Sequence, residues 1–173
     1  MGVEREFSRE IEIARVPVGG RPFAIAAEPA ERVALARRLG LERLDRLRAE
    51  GTVARTPGEP LLTLTGRLEA EVTQLCVVTL EPVANRVEAE LHRVFALGRQ
   101  PQGEEIVIDP LREEPEPLEG ETLDLGEIVA EELALALDPY PHAPGARLAD
   151  TEPEDESEPA LTTPFAIVRG GRP

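Results

Sequence analysis

Cysteine, aromatic residues and lysine are scarce or absent in this chain of 173 residues. With a single cysteine, Cys76, the chain can form no internal disulfide, and it cannot build a cysteine zinc site, because zinc is bound by thiolates in sets. There is no Trp, one Tyr and four Phe, so the core must be aliphatic. All basic residues are Arg, which reflects either genomic composition or a preference for bidentate phosphate contacts.

Long apolar runs and a leader-like start are also lacking. No stretch of about 18 apolar residues occurs, so we expect neither a membrane span nor a membrane partner. The first twenty residues include Glu4, Arg5, Glu6 and further charges, which predicts that there is no signal peptide. Together with the lone cysteine, these features predict a soluble protein of the reducing cytoplasm.

The residues that usually carry catalysis are few and scattered. The two serines, Ser8 and Ser157, lie outside any Gly-x-Ser-x-Gly elbow, and the two histidines, His92 and His142, are 50 residues apart. No glycine-rich phosphate loop is present. We therefore predict that the protein is not an enzyme, uses no cofactor or metal and takes no small-molecule substrate.

The net charge of −15 is unevenly distributed along the chain. Residues 1–99 hold 15 acidic and 15 basic side chains, whereas residues 100–173 hold 19 acidic and 4 basic ones. This acidity argues against broad non-specific binding to nucleic acid. We predict a single domain over residues 1–146 and an acidic, largely disordered tail over residues 147–173, because the tail has little to bury.

Alternating apolar residues predict several β-strands. The longest runs are 61–76, with Gly66 at its centre, and 83–95, and we expect them to pair as antiparallel strands around residues 76–82. A shorter strand is predicted at 104–110. Because a central Gly is typical of a bent strand, we expect an α+β fold with a mainly antiparallel, strongly bent sheet, barrel-like at the extreme, and helices packed against it.

Two segments have helical patterns. Within residues 29–50, apolar residues recur three apart, which predicts two short helices or one helix broken at Gly40. Asp124, followed three residues later by Glu127, predicts a capping box for a helix that runs to about Leu137.

Glu132 is the exceptional residue of this second helix, because it falls within the arc of inward-facing apolar residues. A buried carboxylate without a partner is costly. Glu132 therefore lies either at the edge of the core or in a buried ion pair with an Arg that fixes how the helix lies on the sheet.

The first helical segment is rich in arginine. Four of its arginines are candidate contacts with RNA or with a partner, namely Arg37, Arg38, Arg43 and Arg46. Acidic residues are interspersed among them, so the segment is either a solvated, salt-bridged face or a small patch that binds phosphates or a protein. No aromatic residues accompany these arginines, so base stacking with single-stranded RNA is not expected.

Two stretches of the chain carry a family resemblance. They are LEAEVTQLCVVTLEPVANRVEAE, at residues 68–90, and ETLDLGEIVAEELALALDPYPHAPG, at residues 121–145. Both resemble the YceD family, large ribosomal RNA subunit accumulation protein, and in particular its cysteine-poor branch in alphaproteobacteria-like sequences. The resemblance covers roughly residues 8–145, with strong matches at 65–90 and 121–145.

The family motif Cys-x-Arg-Cys-Leu-x-Pro is only partly present. Cys76, Leu80 and Pro82 match it, whereas Val78 replaces the Arg and Thr79 replaces the second Cys. The further cysteines that follow the late helix in many members are absent. A metal or redox remnant and a small side chain in a buried strand are the two interpretations of the lone thiol, and we carry over no metal role.

The resemblance implies a bacterial role in making or stabilising large-subunit ribosomal RNA, with that RNA, a ribosomal protein or an assembly factor as partner. It supplies no catalytic site. The alternative is a general protein-interaction module that is not specific to the ribosome, with partners on a sheet edge or on the apolar residues 164–168. The acidic tail either solubilises the protein, keeps its body off non-cognate RNA or recruits a basic ribosomal protein.

Overall fold

The computed structural model of the chain describes residues 5–98, 115–118 and 120–147. The strand predicted at 104–110 lies outside these ranges, as does the acidic segment from residue 148 onward. In chain order the elements are β1 (Glu10–Glu12), a 3-10 helix (Ile13–Arg15), β2 (Arg21–Ala26), α1 (Pro29–Arg38), β3 (Arg43–Arg55), β4 (Leu61–Leu75), β5 (Pro82–Leu97), β6 (Glu116–Leu118), β7 (Thr122–Asp124) and α2 (Leu125–Ala136). Neither α-helix in the described ranges has the length and apolar character needed to cross a membrane.

Five of the strands form one open sheet in the order β2-β3-β4-β5-β6. Strands β2 to β5 run antiparallel to their neighbours, β6 runs parallel to β5, and β1 pairs separately with β7. The two long predicted runs pair as expected, with Leu75 opposite Pro82 next to the connecting turn. The expectation of a strongly bent, barrel-like sheet is wrong, because the described sheet is neither closed nor strongly curled, and β2 and β6 are its edges.

The central glycine of β4 allows β3 and β4 to approach each other closely. The glycine therefore serves this approach and not the bend that the sequence predicted. Gly66 lies directly opposite Gly51 of β3. A Cβ atom on Gly51 would fall 2.2 Å from the Thr65 carbonyl oxygen, and one on Gly66 would fall 2.4 Å from the Glu50 carbonyl oxygen. Because carbon and oxygen atoms cannot approach so closely, any side chain here would force the two strands apart.

The second half of the predicted helical segment is a strand. Residues Arg43–Arg55 form β3, and the register with β4 shifts between Leu44 and Arg46, as in a β-bulge. Leu44 and Leu47 are consequently both buried although they are three residues apart. In a regular strand such residues point to opposite faces, so the bulge produces a helix-like spacing. Only Pro29–Arg38 is helical, and the prediction of a helix beyond it is wrong.

The core lies between one face of the sheet and the two helices. Helix α1 packs on β3, and helix α2 packs mainly on β5, with smaller contacts to β1 and β4. The largest fully buried side chains come from all of these elements and from the N-terminal segment; they are Phe7, Leu35, Leu47, Val53, Leu62, Leu64, Leu68, Val72, Leu91, Leu125, Val129 and Leu133. Each stabilises the fold by about 1.5–3 kcal/mol through removal of apolar surface from water. The set is aliphatic apart from Phe7, as the composition requires.

Helix α2 begins at the predicted cap. The Asp124 carboxylate accepts hydrogen bonds from the first turn of the helix at 3.0 and 3.4 Å. It also accepts from the Ser8 hydroxyl at 2.7 Å and from the Arg9 backbone N–H at 2.8 Å, so it ties the N-terminal segment to this helix. The capping box is not completed, because the Glu127 side chain bonds Arg38 of α1 instead.

The other face of the sheet, here called the outer face, carries alternating Arg and Glu side chains. Arg48 bonds Glu69 at 2.6 Å, and Arg67 bonds Glu50 at 2.5 Å, both between β3 and β4. Arg86 of β5 bonds Glu69 from the other side at 3.2 Å. Exposed pairs of this kind add only about 0–1 kcal/mol each to stability. Their main consequence is that the arginines of this face are already neutralised.

Candidate functional site at the turn between β4 and β5

A tight turn joins the two longest strands, and it contains the family motif. The backbone N–H of Cys76 donates to the Glu81 carbonyl at 2.8 Å, and the N–H of Leu80 donates to the Cys76 carbonyl at 2.9 Å. Leu80 has a φ of 58°, which lies in the left-handed region and costs a side chain other than Gly about 1–2 kcal/mol. Pro82 starts β5 directly after the turn. The turn is therefore short, closed by two hydrogen bonds and strained at one residue.

The sulfur of Cys76 holds this turn together. Cys76 is fully buried, and its Sγ accepts the backbone N–H groups of Val78 and Thr79, each at 3.4 Å. Hydrogen bonds from the Thr79 side chain and from the backbone of Ala143 lower the pKa of the Cys76 thiol to about 6, against the opposing effect of desolvation. The donors around the sulfur favour its thiolate form.

The segment that follows α2 runs along the same turn. The Val77 backbone N–H donates to the Pro141 carbonyl at 2.9 Å, and the Gln74 side-chain amide donates to the Asp138 carbonyl at 2.9 Å. The Asp138 carboxylate in turn accepts the Tyr140 backbone N–H at 2.9 Å. The turn and the segment after α2 thus form one connected structure, although they are distant in the sequence.

A metal site does not fit this arrangement. The segment after α2 lies against Cys76, where the Ala143 backbone bonds the sulfur, and it contains no cysteine. Among the residues that the structure describes, no group of three or more His, Cys, Asp or Glu side chains could hold a metal ion. The donors around Cys76 instead suit a structural role, in which the sulfur anchors the turn and the segment after α2.

Four apolar side chains are exposed on this structure. We call them the tip surface, and they are Leu75, Val77, Leu80 and Tyr140. Leu80 and Tyr140 are the most exposed, at 71% and 70%. Large apolar side chains at one place on a surface are typical of a contact site.

Three exposed carboxylates lie on or next to the elements that carry the tip surface, and we call them the acidic rim. Glu81 lies in the turn, Asp138 lies in the segment after α2, and Glu42 precedes β3, where its backbone N–H donates to the Thr73 carbonyl at 2.9 Å. None of the three forms an ion pair with another described residue. The tip therefore combines apolar groups with uncompensated negative charge.

The four candidate arginines do not form one patch. Arg37 and Arg38 are on α1, whereas Arg43 and Arg46 are on β3. Arg38 bonds Glu127 at 2.5 Å, and this bond raises its pKa above the ordinary value. Arg43 bonds Asp45, which lies two residues further along β3, at 2.8 Å. Arg46 lies 3.9 Å from the Glu71 carboxylate of β4. Arg37 is exposed and has no ion pair among the described residues.

The ion pairs of Arg93 test the two alternatives for Glu132, an edge position and a buried ion pair. Arg93 of β5 is largely buried, and its guanidinium bonds Glu116 of β6 together with Glu131 at 3.1 Å and Glu132 at 3.3 Å, both on α2. The bond to Glu116 is the main reason why the pKa of Arg93 is raised. Glu132 is about one-fifth exposed, so it lies at the edge of the core, as the first alternative predicted, and it also pairs with an Arg, as the second predicted, but the pair is not fully buried. It fixes α2 on the sheet.

The family motif was recognised in the sequence, whereas the tip surface was not predicted from it. Leu75, Val77 and Leu80 are apolar residues next to a strand end, where neither a strand nor a helix pattern would bury them. Tyr140 stands between two prolines, which likewise keep it out of a regular element. These signals were visible, but the contact between the two segments depends on the tertiary fold.

A comparison with family models gives one match. The model described as "Large ribosomal RNA subunit accumulation protein YceD" matches residues 64–164 of the chain. The matched range contains nearly all of β4, the turn, β5, α2 and the tip surface. No curated protein and no solved structure matches the chain.

Proposed function

The chain belongs to the YceD family, and from this membership we propose that it is a non-catalytic ribosome-biogenesis factor that supports the accumulation of large-subunit ribosomal RNA in the cytoplasm. The observation that carries the proposal is the match to the family over residues 64–164, which is more than half of the chain. The family is named for the accumulation of an RNA and not for a reaction.

The chemistry of the site supports a binding role. The Cys76 sulfur is buried and surrounded by donors, so it is not presented to a substrate. The pKa of Asp124 is lowered because bonds from Ser8 and the Arg9 backbone outweigh its desolvation, and this carboxylate is used as a helix cap. Strongly perturbed groups in the described residues thus have structural partners, whereas the exposed groups of the tip surface suit contact with a macromolecule.

The charge distribution favours a ribosomal protein or an assembly factor as the direct partner. The arginines of the outer face are paired with glutamates, as are Arg38 and Arg93. Binding to RNA depends on cations that can replace the counterions of phosphates. Ten of the fifteen arginines in the described ranges pair with carboxylates, and the other five (Arg21, Arg32, Arg37, Arg55 and Arg147) come from several segments of the chain. This charge distribution therefore agrees better with support of RNA accumulation through a protein contact than with direct binding to RNA.

A second candidate is a general protein-interaction module that is not specific to the ribosome. The tip surface favours it equally, because exposed apolar side chains do not by themselves distinguish a ribosomal partner from another protein. The two candidates differ in the RNA phenotype that loss of the protein produces.

Deletion of the gene tests the proposed function. We expect the ratio of large-subunit to small-subunit ribosomal RNA to fall in the deletion strain, because precursors that lack the factor are degraded before assembly is complete. Total RNA separated by electrophoresis measures this ratio, and sucrose gradients show whether large-subunit precursors co-sediment with the wild-type protein.

Expression of the wild-type chain in the deletion strain is the control, and it should restore the ratio. An unchanged ratio together with no co-sedimentation would exclude the ribosomal role and leave the general interaction module.

A further inference from the structure

We propose that the tip surface docks a basic protein, whose contact patch combines apolar side chains with a border of Lys or Arg, and that it does not dock RNA. The proposal rests on the proposed function, because it names the class of partner through which that function would act. The proposed docking site consists of the tip surface and the acidic rim. Its residues are Leu75, Val77, Leu80 and Tyr140 together with Glu42, Glu81 and Asp138.

The conformation of Leu80 argues that its exposure serves contact. A residue with a φ of 58° is accommodated best as Gly or Asn, which enter the left-handed region easily. Leucine at this position adds backbone strain, and it gains no burial in return because the side chain is 71% exposed. A partner that covers the Leu80 side chain would bury its apolar surface, and this burial would offset the backbone strain. Tyr140, which is equally exposed, belongs to a residue type enriched at the energetic centres of protein interfaces.

The acidic rim gives the surface one sign of charge. On the outer face, Glu50 and Glu69 are paired with arginines, whereas the three rim carboxylates have no ion pair among the described residues. Unpaired carboxylates next to apolar groups attract Lys and Arg and repel phosphates. A basic protein complements both features, since its apolar residues would meet the tip surface and its cations would meet the rim.

The nearest arginines on β3 and β5 do not offer a phosphate site. Arg43 is bonded to Asp45 at 2.8 Å. Arg86 is bonded to Glu69 at 3.2 Å and to Glu88 at 2.8 Å. An RNA strand at the tip would therefore meet uncompensated carboxylates that repel its phosphates.

The surface is organised before a partner arrives. The Cys76 sulfur bonds the backbone of the turn, and the Val77 N–H bonds the Pro141 carbonyl of the segment after α2. Both halves of the tip surface are thus held in place by groups within the fold. Binding then costs little conformational entropy, which favours a specific complex.

Titration with two defined probes tests the proposal. One probe is the set of large-subunit ribosomal proteins freed of RNA, from which each protein that binds the full chain is identified and titrated singly. The other probe is deproteinised large-subunit ribosomal RNA. We expect the double variant L80N/Y140S to bind the identified protein at least about tenfold more weakly than the wild type, because two apolar anchors are lost. Asn at position 80 suits the left-handed backbone, so the turn should keep its structure.

Matched variants at the far end of the sheet serve as controls. Val18 is exposed to 56% in the Pro17–Gly20 turn, whose backbone bonds Arg55 at the opposite end of β3. V18N should therefore leave the dissociation constant unchanged. E42Q/E81Q should weaken binding about threefold at low salt and less at high salt, whereas E59Q, in the exposed turn between β3 and β4, should have no effect.

Three results would overturn the proposal. One is binding to the bare RNA that L80N/Y140S weakens, and another is the absence of any basic protein that binds the wild type. The third is sedimentation of the wild type as a dimer that L80N/Y140S dissociates, since a second copy would then occupy the surface. The ribosomal RNA ratio of the deletion strain is independent of these results, so failure of the docking proposal is distinguishable from failure of the proposed function.

Discussion

Cys76 and Asp124 are single side chains that each connect segments distant in the sequence. Cys76 holds the turn after β4 against the segment after α2, and Asp124 holds the N-terminal segment against the start of α2. Both accept several hydrogen bonds, which favour the ionised form of each side chain. Their contributions to stability should therefore depend on pH in a direction that follows from their lowered pKa values.

The free energy of unfolding should rise with pH between about 6 and 8.5 because of Cys76. The folded thiol has a pKa of about 6, whereas an unfolded cysteine titrates near pH 8.5. In that interval the unfolded chain binds more protons than the folded one, so a higher pH favours the folded state; below about pH 6 this contribution is lost. Urea unfolding from pH 5 to pH 9 measures it, with C76A as the comparison. The gap between wild type and C76A should widen with pH, and parallel curves would show that the thiol is not ionised.

Replacement of Asp124 by Asn should lower the free energy of unfolding by about 1–3 kcal/mol, because a buried charged acceptor of several hydrogen bonds is lost. The lowered pKa of Asp124 means that its contribution is complete above the unfolded value near 3.9 and is lost as the pH falls through the folded value. Urea unfolding at pH 7 measures the loss. D45N, at an exposed carboxylate paired with Arg43, is the control and should cost less than about 1 kcal/mol. Equal effects of the two variants would contradict the central role of Asp124.

At the scale of the elements, the pair of strands β3 and β4 depends on two facing glycines. We expect G66A and G51A each to destabilise the protein by about 1–3 kcal/mol, since a Cβ atom would collide with the backbone of the neighbouring strand. Thermal and urea unfolding measure the effect.

Gly19 provides the matched control for the glycine variants. A Cβ atom there would have no neighbour within 4 Å, and the backbone is not left-handed. G19A should therefore leave stability unchanged or raise it slightly. If G66A were as stable as G19A, the close approach of the strands would not be the reason for the glycine.

The sequence predicted elements well where their periodicity was regular. The pairing of β4 with β5 followed from long alternation, and α2 followed from the Asp124 cap and the leucine spacing. Strand β3 was missed because the bulge between Leu44 and Arg46 gives apolar residues a helical spacing. The bend assigned to Gly66 was wrong because its facing partner, Gly51, is visible only after the strands pair. The tip surface could not be predicted for the same reason, since it joins two segments through tertiary contacts.

At the scale of the whole molecule, paired arginines on the outer face contrast with the tip, where exposed apolar side chains lie beside carboxylates that have no ion pair among the described residues. The arginines Arg48, Arg67 and Arg86 of the outer face are paired with glutamates, whereas the tip presents apolar groups beside the acidic rim. A single domain over residues 1–146 with an acidic tail over residues 147–173 stays a prediction. Within the described residues, the end of the sheet at the turn between β4 and β5 is the surface best suited to a protein partner.

The most direct measurement of this central claim is the ratio of large-subunit to small-subunit ribosomal RNA in the deletion strain, complemented by L80N/Y140S or by V18N at equal protein levels. If the protein supports RNA accumulation by holding a basic partner at its tip, V18N restores the ratio and L80N/Y140S leaves it low. Full restoration by L80N/Y140S would contradict the claim.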